Sequence, residues 1–165
     1  MAHAIVRLDR MSATGDHSLI KSAKYFNTNT PADIDNGNIV VLGDLLDNER
    51  EICKATAPID SSPLKSLGLV CSVEMIYDES VRHGLEDFYN KADDILRVFR
   101  FHEGDSFAVT AEAFYNNTVP EEGDNITFNG TKLTVASGTS KAVIGKVARI
   151  ESSNLTTFYI IDVAL

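Results

Sequence analysis

Asn36-Gly37-Asn38-Ile39-Val40-Val41-Leu42-Gly43-Asp44 is a polar turn running into an unbroken apolar stretch. The phrase returns as Glu103-Gly104-Asp105-Ser106-Phe107-Ala108-Val109 and again as Glu121-Glu122-Gly123-Asp124-Asn125-Ile126-Thr127-Phe128. Glycine tolerates the positive φ of a tight turn, and β-branched and aromatic residues suit a pleated strand. The phrase therefore predicts strands entered through short polar turns. Gly43, Gly104 and Gly123 read as backbone devices that start or finish strands, with Asp44, Asp105 and Asp124 as polar turn residues. The phrases are irregularly spaced, unlike the fixed period of a solenoid or propeller.

Outward from these phrases the chain keeps the same character. Ala4 to Leu8, Ile20 to Phe26, Leu67 to Ile76, Phe107 to Phe114, Thr131 to Ala136, Ala142 to Glu151 and Thr157 to Val163 all read as strands. Ile39 to Leu42 reads as a strand buried on both faces, with Arg50 to Ala57 as its hairpin partner through Asp47-Asn48-Glu49. Asn129-Gly130 between two apolar runs is a two-residue hairpin signal. Four Asn-x-Ser/Thr triplets, starting at Asn116, Asn125, Asn129 and Asn154, read as turn and edge chemistry. One stretch follows a different period. Leu85, Phe88, Tyr89, Ala92, Ile95, Leu96 and Phe99 recur at helical spacing, which predicts an amphipathic helix over about 85–99. The expected fold is mainly β (α+β): a small β-barrel or sandwich with that one helix packed on it. Residues 1–30 read as an N-terminal arm or hairpin, either built into the core or extended toward a neighbour. Residues 31–165 read as a single β-rich domain.

The chain has 165 residues, 44% of them hydrophobic, which is enough for one domain with a real core. Its net charge of −9 disfavours broad binding to a phosphate backbone, which draws on a surplus of Lys and Arg. No apolar stretch approaches the roughly 18 residues of a membrane span, and the N-terminus lacks a signal-peptide core, so the expectation is a protein made and kept in a cytoplasm. Cys53 and Cys71 read as small reduced core residues, with a disulfide between them as the alternative.

Chemical signatures are sparse. His3, His17, His83 and His102 share no metal-ligand spacing, and Cys-x-x-Cys, Gly-x-Ser-x-Gly and the glycine-rich phosphate loops do not occur. Asp33-Ile34-Asp35-Asn36-Gly37-Asn38 superficially resembles a calcium loop, but its glycine falls at the fifth place instead of the sixth, so a turn entering a strand is the better reading. Glu121-Glu122-Gly123-Asp124 reads as a solvated acidic turn.

Several phrases resemble a family of tailed bacteriophages: small proteins encoded near the major capsid protein and described as capsid decoration, cement or head-auxiliary proteins. The resembling stretches are Ile34 to Gly43, Asn48 to Ala55, Val73 to Glu79 and Arg100 to Thr110, with Gly145-Lys146-Val147 and the closing run Tyr159 to Val163. Together they span residues 34–165. The resemblance implies a virion structural protein without catalytic residues, cofactor or metal, made in the host bacterial cytoplasm. It would sit on the outer surface of the phage head, bind the major capsid protein, and self-associate as a trimer or dimer, without direct contact to nucleic acid or membrane. In that role the arm supplies the contacts to capsid or sister subunit, through Ile5, Arg7, Leu8, Arg10, Lys21, Lys24, Tyr25 and Phe26. Two alternatives stand beside it: another phage component (tail, neck or fibre-associated), and a β-barrel module that binds a small ligand or catalyses a reaction.

Overall fold

The computed structural model describes residues 2–75, 84–137 and 142–165. Strands take 44% of the described residues and helical turns 12%, and every helical piece among them is a single three-residue 3-10 turn. The strands are β1 (Val6–Arg10), β2 (Ile20–Asn27), β3 (Thr30–Pro31), β4 (Ile39–Leu45), β5 (Ile52–Thr56), β6 (Leu67–Val70), β7 (Leu96–Arg100), β8 (Ser106–Val109), β9 (Asn125–Asn129), β10 (Lys132–Val135), β11 (Gly145–Ser152) and β12 (Thr157–Val163).

They form two bodies. β2, β5, β4, β6 and β7 pair in that order, and β7 pairs back onto β2, closing a five-stranded barrel with β3 hung on its side. The β2–β5 pair is parallel and the other barrel pairs are antiparallel. The second body is an antiparallel sheet in the order β1-β8-β12-β11-β9-β10.

One core joins them, and the period-2 alternation of strands explains how. Val40 and Leu42 of β4 point into the barrel lumen, while Ile39 and Val41 point out of it. Val70, Leu96 and Val98 likewise fill the lumen with Ala23 and Ala55. Leu67, Leu69 and Phe99 leave it to pack with Phe107, Val109, Ile126, Phe128 and Ile161 of the second sheet. The lumen is tight enough that a Cβ on Gly68 would lie 2.5 Å from Val98 Cγ1. Ile39 and Val40 are fully buried, while Val41 and Leu42 are half-buried, so the burial expected over 39–42 holds for its first half only.

The helix expected over about 85–99 does not form. Leu85–Asp87 is one 3-10 turn, and Leu96–Arg100 is strand β7. Leu96 and Phe99 are buried, but Leu85 and Ile95 of the same stripe stay 52% and 57% exposed. β7 is the strand that closes the barrel, bonded to β6 on one side and β2 on the other. That pairing and burial outweigh a helical spacing that Leu96 and Phe99 satisfy only by coincidence. The chain turns sharply just before it, at Lys91–Asp94, with Asp93 at φ +70.

The repeated turn is a real structural unit with one member reassigned. His102 N–H donates to Asp105 Oδ2 at 2.8 Å, and Asp105 N–H donates back to the His102 carbonyl at 3.0 Å, with Gly104 at φ +86. Glu121 and Asp124 repeat this at 2.9 and 3.1 Å, with Gly123 at φ +95. The equivalent glycine in the first phrase is Gly37, at φ +79, not Gly43. Gly43 lies inside β4, where the register against β5 slips between Leu42 and Leu45, and Asp44 is exposed in that irregularity.

Other boundaries moved. β6 stops at Val70, with Val73 and Met75 exposed and Ile76 outside the described residues. β8 stops at Val109, and Ala111–Ala113 is a 3-10 turn. Asn129 and Lys132 pair across the Gly130 turn, with Gly130 at φ +58. Asn116 adopts φ +54, Asn125 opens β9 and Asn154 sits between β11 and β12, so these triplets occupy turns and strand ends.

Candidate functional site: the β1 edge and its cavity

Residues 4–27 are woven into both bodies. β1 forms one end of the open sheet and pairs with β8, while β2 is a wall of the barrel, so the two strands do not pair with each other. Val6 and Leu8 pack against the shared core, and Arg7 lies on the opposite, exposed face. Its guanidinium donates to Asp9 at 2.5 Å and to Glu151 on β11 at 2.7 Å, and sits 5.0 Å over the Phe158 ring. Arg149 bonds Glu151 as well. Arg7 thereby holds the Glu151 carboxyl below the usual carboxylate range, and the two carboxylates raise Arg7 further. Arg10 is exposed at the end of β1, opposite Ser106.

The other expected contact residues lie elsewhere. Lys21 and Lys24 sit half-buried on β2, opposite Val98 and Lys54. Tyr25 packs against the barrel lumen, and its phenol is pushed up by burial. Phe26 lies 5.2 Å beneath the Lys54 ammonium. The expected set is therefore divided between two sheets.

Ile5 leads into β1 through two bonds with Thr110, at 3.2 Å each. It also lines a cavity of about 430 Å³ whose wall includes Ala2, His3, Glu86, Glu112 and Tyr159. The His3 amide donates to the Glu86 carbonyl at 2.7 Å, and its ring stacks on Tyr89 at 4.9 Å. His3 Nδ1 lies 2.6 Å from Asp35, and Lys132 reaches both Asp35, at 3.1 Å, and the Glu112 carbonyl, at 2.9 Å. Tyr159 stands edge-on to Phe114 at 5.5 Å. Burial first, and the Glu112 carboxylate second, push its phenol up, so the hydroxyl stays protonated.

The remaining candidates are engaged structurally. Asp33 caps the Ala92 amide at 2.8 Å, and Asn36 exchanges bonds with Ser72 and accepts from Asn90, so the side-chain oxygens of Asp33 and Asn36 are turned to the fold. His102 is exposed, its ring nitrogen 2.9 Å from the Glu103 carbonyl, and His17 is exposed beside Asp16. His83 lies outside the described residues. Among the described residues no three His, Cys, Asp or Glu side chains converge as a metal site requires, and no helix is long and apolar enough to cross a membrane. Cys53 and Cys71 are free thiols, and burial pushes Cys71 up to about 12. Sequence reasoning missed Glu112 and Tyr159. Tyr159 reads locally as one more apolar position of β12, and only the fold sets it beside Glu112 and Glu86.

Comparison of the chain with family models, with curated proteins and with solved structures finds no match.

Proposed function

We propose that this chain is a non-enzymatic virion protein that docks on the outer surface of a phage head and reinforces the lattice of its major capsid protein. The observation that carries the reading is the combination of a stiff double body with an open edge. A shared core joins the outer face of the barrel to the sheet, a second cluster fills the barrel lumen, and β1 ends the sheet with nothing paired on its far side among the described residues. A shell-reinforcing protein needs this: a body that does not deform under load, and a row of free backbone groups that can accept a strand from a neighbour. Charged side chains on the exposed positions of β1, Arg7, Asp9 and Arg10, guard the edge against indiscriminate pairing while leaving it open to a matched partner. The phrases that resemble those of head-decoration proteins point the same way. The net charge of −9 disfavours adhesion to DNA released nearby.

Co-sedimentation with assembled heads that lack the protein tests this. Saturable pelleting is expected, with hundreds of copies per head. If the chain stays in the supernatant across a range of salt concentrations, the reading fails. A copy number near a dozen or fewer would move it to the neck or tail.

A further inference from the structure

Two Asn-Gly pairs occur in the chain, Asn36-Gly37 and Asn129-Gly130. This dipeptide readily loses its side-chain amide, because glycine has no Cβ to shield its own backbone nitrogen from the preceding carboxamide. The fold puts the two pairs in opposite surroundings. Asn36 is fully buried and both ends of its carboxamide are engaged: Nδ2 donates to the Ser72 carbonyl at 3.1 Å, and Oδ1 accepts from the Ser72 amide at 2.9 Å and from Asn90 at 3.2 Å. The Gly37 amide is taken as well, donating to the Val70 carbonyl at 2.8 Å. Asn129 and Gly130 are both exposed at the tip of the β9–β10 hairpin, and β10 is the last strand of its sheet. Among the described residues the Asn129 carboxamide has no hydrogen-bond partner, and the Gly130 amide donates to no backbone carbonyl. Gly130 has φ +58, with open space where a Cβ would stand. The anchors of the tip grip the next two residues instead. The Thr131 carbonyl accepts from the Ile39 amide at 2.7 Å, its hydroxyl accepts from Asn38 Nδ2 at 3.3 Å, and Lys132 reaches Asp35 at 3.1 Å.

We propose that Asn129-Gly130 is a site of spontaneous deamidation in the folded protein. The reacting groups are already in the chain, and the only co-reactant is water with its hydroxide. Hydroxide takes the proton of the Gly130 amide, and the backbone nitrogen attacks Asn129 Cγ. A new C–N bond closes a succinimide ring, the Cγ–Nδ2 bond breaks, and ammonia leaves after taking a proton from water, which restores the hydroxide. A second water opens the ring. Addition at Cγ gives α-linked aspartate, and addition at the main-chain carbonyl carbon gives β-linked aspartate. Nothing is oxidised or reduced. Ring closure requires Asn129 to rotate out of its strand conformation, which an exposed hairpin tip at the end of a sheet achieves by opening locally. Either product adds one negative charge to a body of net charge −9. The β-linked product also inserts a carbon atom into the main chain. That insertion works against the Asn129–Lys132 pairing and against the Thr131 contacts that tie the hairpin to the start of β4. Asn38 is 5% exposed and its Oδ1 is already unpartnered, so loss of Thr131 takes the partner of its Nδ2 and leaves a buried carboxamide unsatisfied at both ends. The proposal is independent of the docking reading.

The test ages the folded, full-length chain in mildly alkaline buffer. β-Linked aspartate is then located by isoaspartyl methyltransferase labelling and peptide mass spectrometry. Label is expected to build up at position 129 and to be absent from position 36. The same chain held in urea is expected to label at both positions, because unfolding frees Asn36 and Gly37 from their partners. Asn129→Gln, at an exposed position, is expected to lose nearly all of the label at 129. No label at 129 in the folded chain while the urea-held chain labels there, or equal label at 36 and 129 in the folded chain, overturns the proposal. Urea denaturation reads the consequence, comparing the aged chain with fresh chain and with Asn129→Asp, which reproduces the α-linked product. A midpoint for the aged chain below both supports a hairpin loosened by the β-linkage. An aged midpoint equal to that of Asn129→Asp overturns that consequence.

Discussion

Asp105 and Asp124 close the same turn in very different surroundings. Asp105 is 1% exposed, and beyond its own turn it accepts from both the amide and the hydroxyl of Ser12, at 2.8 and 2.6 Å. It thereby ties the end of β1 to the start of β8. Asp124 is half-exposed and serves its own turn. Replacing a carboxylate oxygen by an NH₂ group sets a donor against a donor, which inside the protein leaves both unsatisfied. Asp105→Asn is expected to cost about 2–3 kcal/mol and Asp124→Asn less than about 1 kcal/mol, read by urea denaturation. Equal costs would mean that the Ser12 bonds add nothing.

Cys71 gives the alkaline limb of stability a definite sign. The folded thiol titrates at about 12, against 9.0 for the unperturbed group. Between those values the unfolded chain loses the proton while the folded chain keeps it. Stability is therefore full below the unfolded value and falls as pH rises through this window, by at most about 1.4 kcal/mol per pH unit for one proton. Cys71→Ala should flatten the slope of unfolding free energy between pH 9 and 11 relative to the unaltered chain, where the burial-raised Tyr25 and Tyr159 act in the same direction in both proteins. A parallel slope in the two proteins would show that Cys71 is not the source.

At the scale of elements, the segment 85–99 separates what sequence can reveal from what it cannot. A helix would bury Ile95 and Leu96 on one stripe. The barrel buries Leu96 in its lumen and leaves Ile95 outside. Leu96→Ala is expected to cost about 2–4 kcal/mol, and Ile95→Ala less than about 0.5 kcal/mol, by the same denaturation measurement. Similar losses at both positions would restore the helix. The strands themselves were legible wherever an apolar run or alternation was bounded by glycine or asparagine turns, as at β4, β9, β10 and β12. β7 was not, because its partners β2 and β6 lie dozens of residues away and only their pairing gives Leu96–Arg100 a reason to be extended. The Gly104 and Gly123 turns were legible because their geometry is local. Gly43 misled because a Gly-Asp pair inside a strand spells the same letters as one in a turn. The cavity was illegible, since His3, Glu86, Glu112 and Tyr159 belong to four separate stretches and no spacing connects them.

The whole molecule behaves as one body if the core shared by barrel and sheet couples them. Ile39, Leu67, Leu69 and Phe99 leave the barrel to pack against the second sheet, so the sheet's core is completed by the barrel, whose lumen is filled by a separate cluster. Unfolding is expected to be a single cooperative transition, with far-ultraviolet circular dichroism and tyrosine fluorescence tracing coincident curves. Two separated transitions would mean that barrel and sheet are independent domains and that the stiffness attributed to their union is absent. That stiffness, together with the open β1 edge, is what the docking role draws on. Cryo-electron microscopy of the phage head, with and without the protein, tests that role most directly. The account predicts discrete, symmetry-related density on the outer shell surface that fits the barrel and sheet, with the β1 edge and the neighbouring cavity turned toward the capsid protein. Density confined to the tail or neck, or none that this double body fits, would contradict it.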